Sequence, residues 1–386
     1  MATFSHPNYT LSGGDKIIRN TGAPPLTAAE DGEVLAELVR YVEVKIIQDF
    51  NFVSIQIPED EESSTTVLAS PNWMNATKIL MIVQNSYGSQ LGIFSRSICF
   101  DQGISKGTWL PYIHQAHEAG YAVLLLRPNT NSVTVGASKM PIKGSESPEI
   151  HALNVWENIV QQAESAKHIA LLGYGNGASL CKDIYLREMV RTQGPEDNRI
   201  KAFVAIEASS IVTKDDSADV RDALGAIAIN LECNAAARGT RLAYRRDALG
   251  CTSLSLGMPP GMLNVAEGVA LALEPVFKYF ATESAGQLAK SFSYAYARDH
   301  GMDPTTSVVL TNPNSEPTPL PPGSSNLMAS TPPAPGFLSR MFGSSKKAPD
   351  AKPGEEKLTV TDFDLLKVNT VTTQPYYTTI YYHLTY

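Results

Sequence analysis

Cysteine is scarce and scattered in this 386-residue chain: Cys99, Cys181, Cys233 and Cys251 form no C-x-x-C pair. That spacing argues against a disulfide framework or a zinc site and fits a reducing compartment. Long apolar runs are also missing. None approaches the roughly 20 residues that a membrane-spanning helix needs, and the opening Met-Ala-Thr-Phe-Ser-His-Pro-Asn lacks the basic-then-apolar pattern of a secretory leader. There is no excess of cations. The net charge of −8 argues against direct nucleic-acid binding. No internal repeat is visible. Together these absences predict a cytosolic or nuclear protein without metal or cofactor. With 43% hydrophobic and 18% charged residues, the chain has an ordinary globular composition.

The most informative stretch present is Lys167–Ser179. Ile169 to Leu172 reads as a buried strand, Gly173-Tyr-Gly-Asn-Gly177 as a tight bend, and Ala178 to Arg191 as a helix. This is the strand–turn–helix of a nucleophile elbow, G-x-S-x-G, in which a strained turn lifts a serine above a parallel sheet. Here Gly175 occupies the central position, with Tyr174 and Asn176 on either side.

The surrounding pattern is α/β. Thr27 and Glu30 have capping-box spacing, and Leu35, Leu38, Val39, Val42 and Ile46 form one helical stripe. Phe50–Ile57 alternates like a strand, and 58–66 reads as an acidic loop. Ile79–Val83, Tyr121–Leu126 and Ile200–Ile206 are continuous apolar runs, as expected of strands covered on both faces. Between them lie helices near Thr108–Ala119 and after Ser147, where Pro148 takes the first helical position. Parallel pairing through right-handed crossovers gathers the carboxyl ends of the strands on one edge, where such sheets bind ligands. Residues 130–146 read as loop. Ala218–Glu232 and Ala236–Ala248 read as helical, Thr252–Leu256 as a short strand, and 263–297 as a long helical region broken near Thr282.

The expected organisation has four parts. Residues 1–26 form an extended arm punctuated by glycine and proline. Residues 27–302 form an α/β-hydrolase-like domain, a mostly parallel sheet with helices on both faces. Residues 303–357 are a Pro/Ser-rich linker whose composition predicts disorder, and 358–386 are a β-prone segment. Phe337 and Phe342 in the linker are either a short docking motif or an idle apolar spot. The segment around Tyr376 and Tyr377 pairs either with its own sheet or with a partner.

A hydrolase of this architecture needs a nucleophile on the bend, an acid after a later strand and a histidine beyond it. Gly175 offers no nucleophile. Of the seven histidines (His6, His114, His117, His151, His168, His300, His383), none lies between 169 and 299. Gln84-Asn85 follows the first core strand, where small residues expose backbone N–H groups to a substrate oxygen.

Four segments carry a family resemblance: Glu33–Val42, Lys78–Val83, Gly107–Asn129 (with Pro-Tyr-Ile and Glu-Ala-Gly-Tyr-Ala-Val) and Ser147–Trp156 (Ser-Pro-Glu-Ile-His…Val-Trp). Over roughly 30–280 the chain resembles the Argonaute-binding-protein (Arb-type) domain. That domain occurs in fungal silencing factors, in an animal family of nuclear and endoplasmic-reticulum proteins, and at the end of some histone deacetylases. The resemblance implies an α/β-hydrolase-like fold. Several family members keep His-Ser-Tyr-Gly-Gly where this chain has Tyr174-Gly-Asn-Gly-Ala178, and His-Gly where it has Gln84-Asn85. The family histidine falls on Gly261, and the family's Thr-Asp-Ser falls on Glu207-Ala208-Ser209.

The expectation is therefore a non-catalytic scaffold or interaction protein, connected with gene silencing, chromatin or small-RNA pathways. Its partner is a protein of unknown identity, a second copy of the chain included. Arg238, Arg241, Arg245 and Arg246 on one helical face are either a partner surface or a solvated face. The alternatives are a hydrolase with a relocated nucleophile, such as Ser86 or Ser209, and a small-ligand binder that uses the space at Gly175.

Overall fold

The computed structural model describes residues 2–291 except 26, 60–62, 86–88, 259–265, 284 and 289–290, with the side chains of Asn85, Tyr244 and Arg246 also outside the description. The chain opens with a β-hairpin, β1 (Tyr9–Ser12) and β2 (Lys16–Arg19), paired antiparallel. Gly13 and Gly14, at φ 61° and 74°, make its turn. The expected extended arm is corrected here. The glycines close a hairpin whose Tyr9 and Ile17 are buried in the core.

Helix α1 (Ala28–Phe50) follows, its first turn capped by Thr27 Oγ1, which accepts from Glu30 N at 3.2 Å. Val34, Leu38, Val42 and Ile46 are fully buried. The helix runs through Phe50, so β3 is shorter than expected (Val53–Ile57). The acidic segment ends in a strand, β4 (Thr65–Ala69), which pairs antiparallel with β3. Its β-branched Thr65-Thr66-Val67 supplies the strand preference that the neighbouring charges obscured.

Then come β5 (Lys78–Asn85), α2 (Arg96–Asp101), α3 (Ile104–Gly107), α4 (Leu110–Glu118) and β6 (Ala122–Leu125). Residues 130–146 contain a second hairpin rather than loop alone: β7 (Ser132–Val135) and β8 (Ser138–Pro141), joined by Gly136-Ala137. Ser147 caps α5 (Pro148–Asn154). A π-helical turn (Val155–Ile159) and a 3-10 turn (Val160–Gln162) extend it.

Strand β9 (His168–Gly175) leads into α6 (Gly177–Arg191), then β10 (Ile200–Ile206), α7 (Ala218–Ile227), β11 (Ala228–Cys233), α8 (Arg246–Leu249), β12 (Thr252–Gly257) and α9 (Glu267–Thr282). Two helical expectations fail. The run 218–232 is helix only to Ile227; Ala228, Ile229 and Leu231 are buried in a strand between β10 and β12. The run 236–248 is mostly irregular, with a 3-10 turn at Ala243–Arg245 before α8, and Arg241 bridges Leu254.

One eight-stranded sheet, ordered β12-β11-β10-β9-β5-β6-β4-β3, organises these elements. The six strands from β12 to β6 run parallel; β4 and β3 are antiparallel at one end. Alternate residues face opposite cores. Leu80, Ile82, Leu172 and Val204 pack with α1, α4 and α9, whereas Ile79, Met81, Leu171 and Phe203 pack with α5, α6 and α7. The sheet is thus covered on both faces, an α/β-hydrolase-like arrangement.

Candidate functional site

Strands β5, β9, β10, β11 and β12 are parallel, so their carboxyl ends meet on one edge. At the centre of that edge the chain leaves β9 and turns into α6. The turn is sterically tight. A Cβ on Gly173 would lie 2.6 Å from Ala178 Cα and 2.8 Å from its nitrogen. Gly175 has φ 57°, a left-handed conformation that only glycine adopts freely. The bend therefore keeps the backbone of a nucleophile elbow, with glycine at the apex.

Tyr174 is buried and packs edge-on against Phe94 and Trp109, with ring centroids 6.1 and 6.4 Å away. Burial, with the nearby Glu207 carboxylate second, pushes its phenol up to about 12. Asn176 Oδ1 accepts from Ser209 Oγ at 3.4 Å.

Gln84 lies 1% exposed beside this bend, its backbone in register with Tyr174. Its amide nitrogen donates to Ile93 O at 3.0 Å and Gln90 O at 2.5 Å, and its oxygen accepts from Trp109 Nε1. Both N–H bonds thus hold the loop after β5 in place, and neither is left to meet a substrate oxygen.

Glu207 follows β10 at φ 52° and is half-buried. Its Oε1 accepts from Cys233 N at 2.6 Å. Burial first of all raises its carboxyl to about 7, and the Glu232 carboxylate adds to the effect. Cys233, at the end of β11, is driven the other way from a reactive thiolate, up to about 12, by burial and then by Glu207. Helix α9 closes over the pair: a Cβ on Gly268 would be 2.6 Å from Glu207 Oε1. This Tyr174–Glu207–Cys233 grouping escapes sequence reasoning because Ala228–Glu232, the part of β11 that leads to Cys233, reads as helix, and no pattern announces a non-glycine residue at positive φ.

The described histidines are committed elsewhere. His151 is buried; its Nε2 accepts from Arg127 N at 3.2 Å and its Nδ1 is 3.0 Å from Ser145 Oγ. Burial and then Arg127 hold it down at about 4. His168 begins β9, at the opposite edge, with Nε2 2.9 Å from Tyr121 OH and Nδ1 3.4 Å from Glu283. His117 meets Ser70 Oγ at 2.9 Å, His114 lies 3.7 Å from Glu118, and His6 accepts from Asn8 N.

The four arginines do not share a helical face, which corrects that expectation. Arg238 and Arg241 lie in the irregular segment before β12, with Arg238 beside Gly257. Arg245 is turned inward: its Nε is 3.0 Å from Glu232 Oε2 and it donates to Ala208 O. Arg246 starts α8, its side chain outside the description. Ser86, Gly261, His300, Phe337, Phe342, Tyr376, Tyr377, His383 and the whole of 303–386 also lie outside the described residues. Among the described residues, no group of three or more His, Cys, Asp or Glu could hold a metal ion, and no helix is long and apolar enough to cross a membrane.

Comparison with known proteins gives one family. A family model described as Arb2 domain matches residues 33–228. The cotranscriptional regulator ARB2A homolog of Xenopus tropicalis is 21% identical over 230 residues, covering 46% of this chain and 53% of that protein. Cotranscriptional regulator ARB2A of Homo sapiens is 21% identical over 229 residues, covering 46% and 54%. The chain thus spans about half the length of these two relatives. Among solved structures, a histone deacetylase from Saccharomyces cerevisiae overlaps 65% of this chain and 98% of its own, with TM-score 0.43 and 14% identity.

Proposed function

From the premise that the chain belongs to the Arb2 domain family, we propose that it is a non-catalytic α/β-hydrolase-like protein that works by binding other proteins in chromatin-linked or co-transcriptional regulation. The observation that carries the reading is the bend. Its strand, tight packing and helix are retained, yet its apex is Gly175 at φ 57°. Acyl transfer needs an attacking atom, a base to take its proton and donors for the developing oxyanion. Gly175 has no attacking atom. The donors of Gln84 are spent on Gln90 and Ile93. The five described histidines are bonded away from the bend.

A relocated nucleophile finds little help here. Ser209 Oγ donates to the Asn176 amide oxygen, which is no base. Cys233 is held as a thiol. The names of the relatives, cotranscriptional regulators, support the regulatory part and a place in the nucleus. The partner is a protein, a second copy of the chain included.

The test is active-site labelling of the full chain with a fluorophosphonate probe. The expected outcome is no labelling above that of heat-denatured protein. Labelling that disappears on Ser209→Ala or Ser86→Ala would overturn the non-catalytic reading.

A further inference from the structure

The eight-stranded sheet has two outermost strands, and they are finished differently. Beside β12 the irregular chain at 239–242 supplies a partner: Leu242 N donates to Ser253 O at 2.9 Å, Ser255 N to Thr240 O at 2.9 Å and Gly239 N to Ser255 O at 2.7 Å. At the other end β3 pairs with β4, in unbroken antiparallel register from Val53↔Ala69 to Ile57↔Thr65. Among the described residues, no strand or bridge lies along its outer side.

An open outer strand is a template for another chain, and proteins guard it with lysine, an internal proline or a bulge. Strand β3 has none of these. Its sequence, Val-Ser-Ile-Gln-Ile, is uncharged, its register has no bulge, and Pro58 comes only after its last residue. Val53 is 40% exposed, and Ser54 is exposed. Val53, Ile55 and Ile57 share one face of the strand, so apolar residues of an added strand would lie beside them. In such β-augmentation, backbone hydrogen bonds hold an extended peptide against the sheet.

Charge selects the occupant. Before β3 comes the C-terminal end of α1, a 23-residue helix with no basic residue in its last turn. Such an end carries about half an elementary negative charge. Asp49 there is matched by Lys45 at 2.7 Å, so the helix end itself is what remains. After β3 stands the exposed Glu59. Lys143, next to the Gly144 that approaches Ile57, is already engaged. Both ends of the strand are therefore negative. A second copy of the chain fits this poorly. Antiparallel pairing about a two-fold axis would set each Glu59 against the α1 end of the other copy, negative to negative. A peptide with cations at its ends matches both.

We propose that β3 accepts an added strand from a protein partner, an extended stretch of alternating apolar residues with Lys or Arg at its ends. Such a site presupposes that the chain works by binding proteins, and it defines the segment bound.

The test is fluorescence anisotropy of a labelled peptide, Lys-Lys-Val-Thr-Val-Thr-Val-Lys-Lys, titrated with the full chain. Saturable binding below about 1 mM is expected. Two control peptides separate the causes. One has glutamate in place of lysine; the other keeps the lysines but has alternate backbone nitrogens methylated, so it cannot join a ladder. Each should bind at least about tenfold more weakly. Val53→Lys and Glu59→Lys, both at exposed positions, should each weaken binding of the first peptide about tenfold. If Val53→Lys loses stability, Glu59→Lys decides. No saturable binding of the lysine peptide, equal binding of either control, or unchanged affinity in Glu59→Lys would overturn the proposal. So would a concentration-dependent dimer in analytical ultracentrifugation that Val53→Lys dissolves, because β3 would then hold a second copy. None of these outcomes alters the fluorophosphonate result, so failure here is distinguishable from failure of the non-catalytic reading.

Discussion

At Gly173 the fold leaves no room for a side chain. A Cβ would sit 2.6 Å from Ala178 Cα, and backbone atoms cannot step aside as the end of a lysine could. Gly173→Ala should therefore push α6 away from β9 and cost about 1–3 kcal/mol or more, as overpacking does. Urea unfolding of the two proteins measures it; equal midpoints would mean that the turn yields without strain. Glu207 is the second residue of consequence. Burial raises its folded carboxyl to about 7, above the ordinary value of 4.5. The folded state therefore holds a proton that the unfolded state has released between about pH 4.5 and 7. Its stabilising contribution is full below that window and is lost as the pH rises through it. His151 acts oppositely. Held at about 4, it removes stability as the pH falls below 6.5. The two slopes oppose each other in the wild-type curve, so the informative quantity is the difference from Glu207→Gln. Glutamine keeps the acceptor for Cys233 N but cannot titrate. Relative to wild type, Glu207→Gln should gain on the order of 1–3 kcal/mol between pH 5 and pH 8. Thermal melts across that range check it, and parallel curves would contradict it. At this scale the sequence displayed the glycines, the histidines and Glu207 in the acid's place, but not the contact between Glu207 and Cys233. Their pairing depends on which strand ends adjoin, which a linear pattern does not carry.

Among elements, α9 shows how the carboxyl edge of the sheet is roofed. Two buried tyrosines tie the helix down from either end. Tyr112 OH donates to Val269 O at 2.6 Å in its first turn, and its own Tyr279 OH donates to Ile227 O at 2.7 Å. The second bond also satisfies an orphan carbonyl at the end of α7. Removing either hydroxyl leaves the ring in place and the carbonyl short of a donor. Tyr112→Phe and Tyr279→Phe should each cost about 1–2 kcal/mol. The bonds share no atom, so the double variant should come close to the sum. Denaturant unfolding of the three variants tests both statements. The legible elements were those whose own pattern suffices: α1 with its Thr27 cap, β5, β9 with its bend, and β10. The illegible ones needed neighbours. Ala228–Cys233 continues the apolar spacing of α7, and only its place between β10 and β12 makes it a strand. The hairpin at 9–19 was hidden because its glycines looked like breakers, though they close a turn against a core that takes up Tyr9 and Ile17.

For the whole molecule, charge decides between partner classes. Regulators in the nucleus meet both proteins and nucleic acid, and the two demand different surfaces. Nucleic-acid affinity comes largely from cations that displace condensed counterions, so it needs a basic patch free to face phosphate. This chain has 31 Lys and Arg against 39 Asp and Glu. Several cations that might have formed such a patch are already engaged: Arg245 with Glu232, Lys182 with Asp216, Arg96 with Asp31, and Arg191 and Arg199 with Glu188. The full chain should therefore show no saturable binding to a random 20–30-base-pair DNA or RNA duplex at physiological salt. Non-specific DNA binders reach roughly 10⁻⁴–10⁻⁶ M under those conditions. Fluorescence anisotropy with labelled duplex measures this directly. Binding in the roughly 10⁻⁶ M range that weakens steeply with added salt would mean that cations outside these pairs form a phosphate-tracking surface, and the proposed protein partner would then share its role with nucleic acid.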